Sequence, residues 1–266
     1  MDWLQKALDK SKQNDPGSFH FQTSPILKKS FFLDDTNYPA EFDNPAKKIT
    51  PPNPVDERLL LKKQLNQQPV AIYNFLSAKT MQMLKGRNVY SLAVTSPTSG
   101  AGTTLTAANL AISMSRARHE TVVLVELDLR KPSFCQYFGL DNELKGLAHH
   151  LTSSSPLKDL LININGTYLT LLPAGTAVDY TNILGSQIMR QFVSEISSVY
   201  RDHIIVYDLP SLLDSEDSLA FLPNIDASLL VLEEGINTST QVTQCIDILK
   251  NHGLLGTILN KARDVA

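Results

Sequence analysis

Three short stretches of this 266-residue chain carry residue types that could do phosphate chemistry. The first is "SLAVTSPTSGAGTTLTAANLA", residues 91–111, where an apolar run meets a small glycine-bearing loop and then a helical pattern. Small residues at Ser99, Gly100, Ala101 and Gly102, followed by Thr103 and Thr104, let backbone N–H groups approach a phosphate. The helix behind them adds its positive end. Thr104 stands where a phosphate-binding loop places the hydroxyl that holds Mg2+. The lysine that normally follows the second glycine is replaced by Thr103. The same residues also fit a plain strand-to-helix turn, with Gly100 and Gly102 giving its curvature and Thr103 or Thr104 acting as N-cap.

The second stretch, "VVLVELDLRKPS", places Glu126 and Asp128 at the end of an apolar run, with Arg130 just beyond. Two acids there suit Mg2+, held directly or through water; a solvated strand end is the alternative. The third, "HIIVYDLPS", ends an apolar run on Asp208, in the form of a Walker B carboxylate that reaches Mg2+ through water.

Such residues meet only if a scaffold brings three strand ends together. From Ser91 onward, short apolar runs alternate with longer amphipathic ones. The strand candidates are "SLAVTS", "TVVLVELD", "YLTLLPAG", "HIIVYDLP", "ASLLVLEE" and "LLGTILNKA", several of them apolar almost throughout, as strands buried on both faces are. Helical stretches at 104–118, 186–200 and 238–252 separate most of them. The fold class expected is α/β, a doubly wound, mostly parallel sheet flanked by helices. Ligands of such sheets bind beyond the carboxyl ends of the strands, where all three stretches end.

The rest of the chain bounds the answer. Eight of its 14 prolines fall in the first 69 residues, which read as a Pro-rich, mostly disordered linker over 15–67. Ahead of it, Trp3, Leu4, Ala7 and Leu8 share a helical face, so 1–14 reads as a short amphipathic helix that needs something to pack on. The folded domain is expected at 68–266. A net charge of −3 argues against a nucleic-acid partner. Cys135 and Cys245 lack metal or CxxC spacing and read as reduced thiols. No apolar run reaches the ~18–20 residues of a membrane span, and the opening has no signal-peptide core, so the expected location is cytoplasmic.

In order and wording these motifs resemble the bacterial tyrosine kinases of polysaccharide export (BY-kinases), within the MinD/ParA-type P-loop ATPases. They are nearest the exosortase-associated tyrosine autokinases. That family's "LAVTSP..GEGKTLTA.NLAISLA", "VLLIDADLRKPS", "LLPAG", "IIVDTPP" and "LLV...G.T" correspond to "LAVTSPTSGAGTTLTAANLAISM", "VVLVELDLRKPS", "LLPAG", "IIVYDLPS" and "LLVLEEGINT" here. The likeness spans about 71–262 and includes the opening "WLQKALDKSKQ". It implies a P-loop NTPase fold and ATP or ADP with Mg2+ at Ser99, Gly100, Ala101, Gly102, Thr103 and Thr104. Thr104 and Asp208 would hold the metal, and Glu126 and Asp128 would stand in a degenerate Walker A′ motif. It also implies a partner in the inner membrane of polysaccharide co-polymerase type, or a kinase homologue, met through 1–14.

The departures from the family fall on catalysis and assembly. Thr103 replaces the loop lysine, and Glu126 extends the first Walker A′ aspartate by one methylene. The positions of the oligomerisation motif ExxRxxR read Ala71, Asn74 and Ser77, and no tyrosine cluster follows "GTILNKARDVA". A charge-assisted hydrogen bond is worth roughly 1.5–3 kcal/mol, and losing one donor aimed at developing charge costs ~10²–10³ in rate. The expectation is a pseudo-ATPase or pseudokinase of exopolysaccharide biosynthesis that binds nucleotide weakly and forms no octameric ring; a homodimer through the nucleotide face is compatible. One alternative is an active, atypical protein-tyrosine kinase or ATPase. A remote one is a dinucleotide-binding oxidoreductase, since "GAG" after a strand and Glu126 downstream mimic that fingerprint.

Overall fold

The computed structural model describes residues 44–61, 67–118, 121–176 and 182–262, all within the compact unit Glu41–Ala266. The expected 1–14 helix and most of the 15–67 linker lie outside the described residues.

Eight strands form one sheet: β1 (Lys47–Ile49), β2 (Ser91–Thr95), β3 (Val122–Glu126), β4 (Ile162–Ile164), β5 (Leu169–Leu172), β6 (Ile204–Asp208), β7 (Ala227–Glu233) and β8 (Leu254–Asn260). Their spatial order is β1-β4-β5-β3-β6-β2-β7-β8. The six strands from β5 to β8 are mutually parallel, and the β1/β4 pair joins through an antiparallel β4/β5 ladder. The six strands foreseen are present, and the fold is the doubly wound P-loop NTPase class. β1 and β4, three residues each, are too short to leave a periodic signal.

Among the described residues eight helices flank the sheet: α1 (Gln67–Arg87), α2 (Thr103–Arg118), α3 (Phe134–Tyr137), α4 (Leu147–Ser153), α5 (Leu157–Leu160), α6 (Gln187–Val199), α7 (Glu216–Phe221) and α8 (Ser239–Leu249). Alternate strand residues feed opposite layers, because successive side chains of a strand point to opposite faces. Leu92 and Val94 of β2 pack with Leu84 of α1 and Leu110 of α2 on one face. Ala93 joins Phe192 and Ile196 of α6 and Leu249 of α8 on the other. Capping fixes the starts of two helices. Ser186 Oγ accepts from Met189 N at the head of α6, and Thr238 and Gln241 form a reciprocal capping box at the head of α8.

The topology removes the dinucleotide reading. In that fold the strand carrying the glycine loop lies beside the strand that follows its helix. Here β6 is inserted between β2 and β3, which also separates the loop from the acid proposed to meet a ribose.

Residues 44–61 correct the linker expectation. Their prolines suggested a free extended chain, yet the segment is strapped across the domain. Leu59 and Leu60 are buried in the core beside α2. Leu60 N donates to Asn109 Oδ1 at 2.8 Å, and Asn109 Nδ2 donates to the Arg58 carbonyl at 3.0 Å. Asn53 N and Asp56 N donate to the carbonyls of Gly139 and Tyr137. A Cβ at Gly139 would strike the Asn53 carbonyl, so a glycine with φ +63° is required where the strap crosses. An extended strap needs few N–H groups, which is why Pro51, Pro52 and Pro54 fit it. Leu59→Ala is expected to cost about 2–5 kcal/mol in urea denaturation; a solvated linker position would stay within about 0.5 kcal/mol.

Candidate functional site

The parallel order brings the three chemical stretches to one end of the sheet. β6 lies between β2 and β3, with Asp208 in register with Val94 on one side and Glu126 on the other. The loop leaves β2 at Thr95 and enters α2 at Thr103. Gly100 and Gly102 have φ of +90° and +85°, left-handed values that side chains other than hydrogen resist. Thr106 N donates to the Gly102 carbonyl at 2.9 Å, so the N–H groups before it belong to the open first turn of a 16-residue helix. That is an anion-binding geometry.

The outer side of the loop is tied down residue by residue. Asn237, after β7, donates from Nδ2 to Thr98 Oγ1 at 2.9 Å. Ser99 N donates to Asp214 Oδ2 at 2.8 Å, which also accepts from Ser211 Oγ at 2.8 Å. Asn260, the last residue of β8, donates from Nδ2 to the Ala101 carbonyl at 2.8 Å. Its amide fills the space a Cβ at Gly102 would need. Lys261 Nζ donates to the Gly100 carbonyl at 2.8 Å and pairs with Glu233 Oε1 at 2.9 Å.

Four acids surround the loop in different states. Asp208 is buried, and neither of its carboxylate oxygens has a hydrogen-bond partner among the described residues. Burial raises its pKa well above the usual carboxylate value; Glu126 and Asp128 add to this, and the facing Thr104 hydroxyl opposes it. Asp214 lies on the other side of its ordinary value, held low chiefly by the Ser211 hydroxyl and the Ser99 amide. Asp128 Oδ1 accepts from Lys131 N at 2.9 Å, closing the turn after β3. Arg130 pairs with Asp217 at 3.3 Å.

Glu126 does a different job from the metal-orienting one expected of it. Its Oε1 accepts from Ser133 N, from Ser133 Oγ at 3.3 Å and from Phe134 N at 2.8 Å, and its Oε2 accepts from Ala174 N at 2.9 Å. The extra methylene lets the carboxylate reach past the strand end to these donors. Burial pushes its pKa up to about 7, and the hydrogen bonds hold it from rising further.

The residues present fit a Mg2+-bound nucleotide in part. Thr104 and the unpartnered Asp208 would hold the ion, with phosphate oxygens completing its shell, and the open amides of α2 would receive the phosphates. No three His, Cys, Asp or Glu side chains among the described residues form a metal cage on their own. Of the expected residues, Ser99 to Thr104 and Asp208 come together; Glu126 and Asp128 lie beside Asp208, with both Glu126 oxygens taken by backbone donors and Asp128 Oδ1 by Lys131 N. Sequence reasoning missed Asp214, Asn237, Asn260 and Lys261. Their shared signal is position, since each lies at or beyond the carboxyl end of a parallel strand.

No family model matches the chain. Named relatives do. Tyrosine-protein kinase YwqD of Bacillus subtilis (strain 168) is 29% identical over 177 residues, 65% of this chain and 73% of that one. Tyrosine-protein kinase CpsD of Streptococcus agalactiae is 26% identical over 193 residues, 71% of this chain and 83% of that one. The succinoglycan biosynthesis transport protein ExoP of Rhizobium meliloti (strain 1021) is 30% identical over 186 residues, which is 68% of this chain but 23% of ExoP. In structure, the VpsO kinase domain superposes with a TM-score of 0.66 at 23% identity, covering 74% of this chain and 98% of that one. The septum site-determining protein MinD of Pyrococcus horikoshii OT3, complexed with Mg-ADP, superposes at 0.53 and 22% identity, covering 64% and 69%.

Two outcomes follow from Glu126. Glu126→Asp restores the residue of the kinase pattern but withdraws the carboxylate from its donors, so it should cost about 1–3 kcal/mol of stability in urea denaturation. An unfolded glutamate titrates near 4.3, so the folded chain keeps the Glu126 proton over an interval where the unfolded chain has lost it. Stability present at about pH 4–5 should therefore decline as pH rises through about 7. Melting temperatures across that range should show this decline, made shallower by Glu126→Gln.

Proposed function

Because the chain belongs to the bacterial tyrosine-kinase family, within the MinD/ParA-type P-loop fold, we propose that it works as a degenerate member. In this reading it is a pseudo-ATPase and pseudokinase that keeps a weak Mg-nucleotide site and serves exopolysaccharide biosynthesis or export. The observation that carries it is the contrast inside one loop. The glycines, the open helix start and the buried Asp208 are in place, while Thr103 offers a hydroxyl where the chemistry calls for a cation. Phosphoryl transfer depends mostly on positioning and charge neutralisation, so a loop without its lysine loses more in turnover than in binding.

The partner in this reading is a polysaccharide co-polymerase-type inner-membrane protein or a kinase homologue, met through residues 1–14. The likeness to ExoP, a succinoglycan biosynthesis transport protein, supports it. No described helix is long and apolar enough to cross a membrane, in keeping with a cytoplasmic chain held at the membrane by its partner. Assembly differs from an ExxRxxR-driven ring. Ala71 carries no charge, Asn74 Oδ1 accepts from Ser113 Oγ at 2.7 Å, and Ser77 is buried. A homodimer through the nucleotide face remains compatible.

An active kinase is the second reading, favoured by the kinase names of the relatives. ATP hydrolysis and tyrosine phosphorylation assays on the full chain separate the two. The degenerate reading expects turnover no greater than that of Asp208→Ala, and Mg-ADP binding tightened about 10- to 100-fold by Thr103→Lys in isothermal titration. Hydrolysis at the rate of an intact P-loop enzyme, abolished by Asp208→Ala, would overturn it.

A further inference from the structure

We propose that Lys261 supplies, from the end of β8, the positive charge that position 103 withholds, and that its ammonium contacts the phosphate groups of a bound nucleoside diphosphate. The inference rests on the nucleotide-site reading above and names the cation of that site.

The need for such a cation is electrostatic. Asp214, whose pKa is held low by Ser211 and Ser99, stands beside the loop, with Asp128 at the neighbouring strand end, and a phosphate entering beside them meets like charge unless a cation stands there. Three basic side chains among the described residues are considered. Arg130 is paired with Asp217. Lys131 acts on Asp214, the carboxylate that holds Ser99 N at the near end of the loop. Lys261, though paired with Glu233, is among these three the one whose ammonium is in hydrogen-bond contact with the loop, at the carbonyl of Gly100.

Its placement is fixed rather than incidental. Asn260 is paired in register with Glu233 on β7 and bound to the Ala101 carbonyl, so the backbone carrying Lys261 cannot drift from the loop. Lys261 itself has φ +55°, a left-handed conformation that a non-glycine residue adopts at a cost. Glu233 holds the ammonium from the other side at 2.9 Å, and Glu233 N is in turn bound to Asn237 Oδ1 at 2.7 Å. An ammonium has three N–H donors. Gly100 and Glu233 take two, and the third is available to a phosphate oxygen. The side chain is 50% exposed, so a ligand can reach it.

Isothermal titration of the full chain with Mg-ADP and with Mg-pyrophosphate tests this, alongside melting of the ligand-free protein. Lys261→Met should weaken both ligands about 10- to 100-fold while leaving the ligand-free melting temperature nearly in place, because Asn260, Asn237 and Asp214 still hold the loop and an exposed ion pair contributes little. Lys261→Arg should keep part of the binding, and Thr103→Lys added to Lys261→Met should restore it. Unchanged binding in Lys261→Met, or loss of binding in Lys131→Met alone, would overturn the assignment to Lys261 and leave the site reading standing. A lowered ligand-free melting temperature without rescue by Thr103→Lys would make Lys261 a structural latch and also overturn it. If the unaltered chain binds neither ligand, the nucleotide-site reading falls, and this inference with it.

Discussion

A buried carboxylate at the end of β3 ties together three segments that would otherwise be free loops. Glu126 accepts from Ser133 and Phe134 on one side and from Ala174 on the other. The first pair sets the start of α3, and the second fixes the turn after β5. On that turn α4 begins, with Leu147 N and Ala148 N donating to the carbonyls of Pro173 and Ala174. The strap of residues 53–56 crosses α3 and hydrogen-bonds its far end. Removing a partner from a buried, hydrogen-bonded charge leaves desolvated donors behind, which is why such a knot is costly to loosen. The acid most suggestive of catalysis is thus the one on which the local architecture hangs.

Around that fixed frame the phosphate loop is supported from outside. Strand ends β6, β7 and β8 each send side chains to it, through Asp214, Asn237, and Asn260 with Lys261. The loop can therefore hold its shape without a ligand. Its interior is poorer: the buried Asp208 carboxylate faces the Thr104 hydroxyl and has no hydrogen-bond partner by geometry among the described residues, and position 103 carries threonine rather than a cation. Shape has been retained where charge has been rearranged.

Much of this was legible in the residues themselves. The six parallel strands are legible because strands buried on both faces are continuously apolar, and the apolar run before Asp208 marks it as the end of β6. Glu126 misled because a sequence shows an acid at a strand end but not the amides that will be aimed at it from residues 133 and 174. The strap misled because prolines mark both free linkers and extended segments that run across a surface, and only the burial of Leu59 and Leu60 separates the two. The short β1 and β4 gave no pattern to read. Lys261 was invisible as a loop residue because it lies 161 positions from Gly100 and is brought there only by the order of the sheet.

The amide of Asn260 occupies the space beside Gly102, which bears on how such a loop drifts once its chemistry is lost. A side chain at 102 would push that amide from the Ala101 carbonyl and strain a backbone held at φ +85°, whether or not nucleotide ever binds. Selection for folding alone would then favour this glycine, a constraint that does not depend on which residue stands at position 103. A P-loop that had lost its chemistry would on this ground erode unevenly, losing its reactive letters first and keeping its glycines as a record of how the sheet fits together.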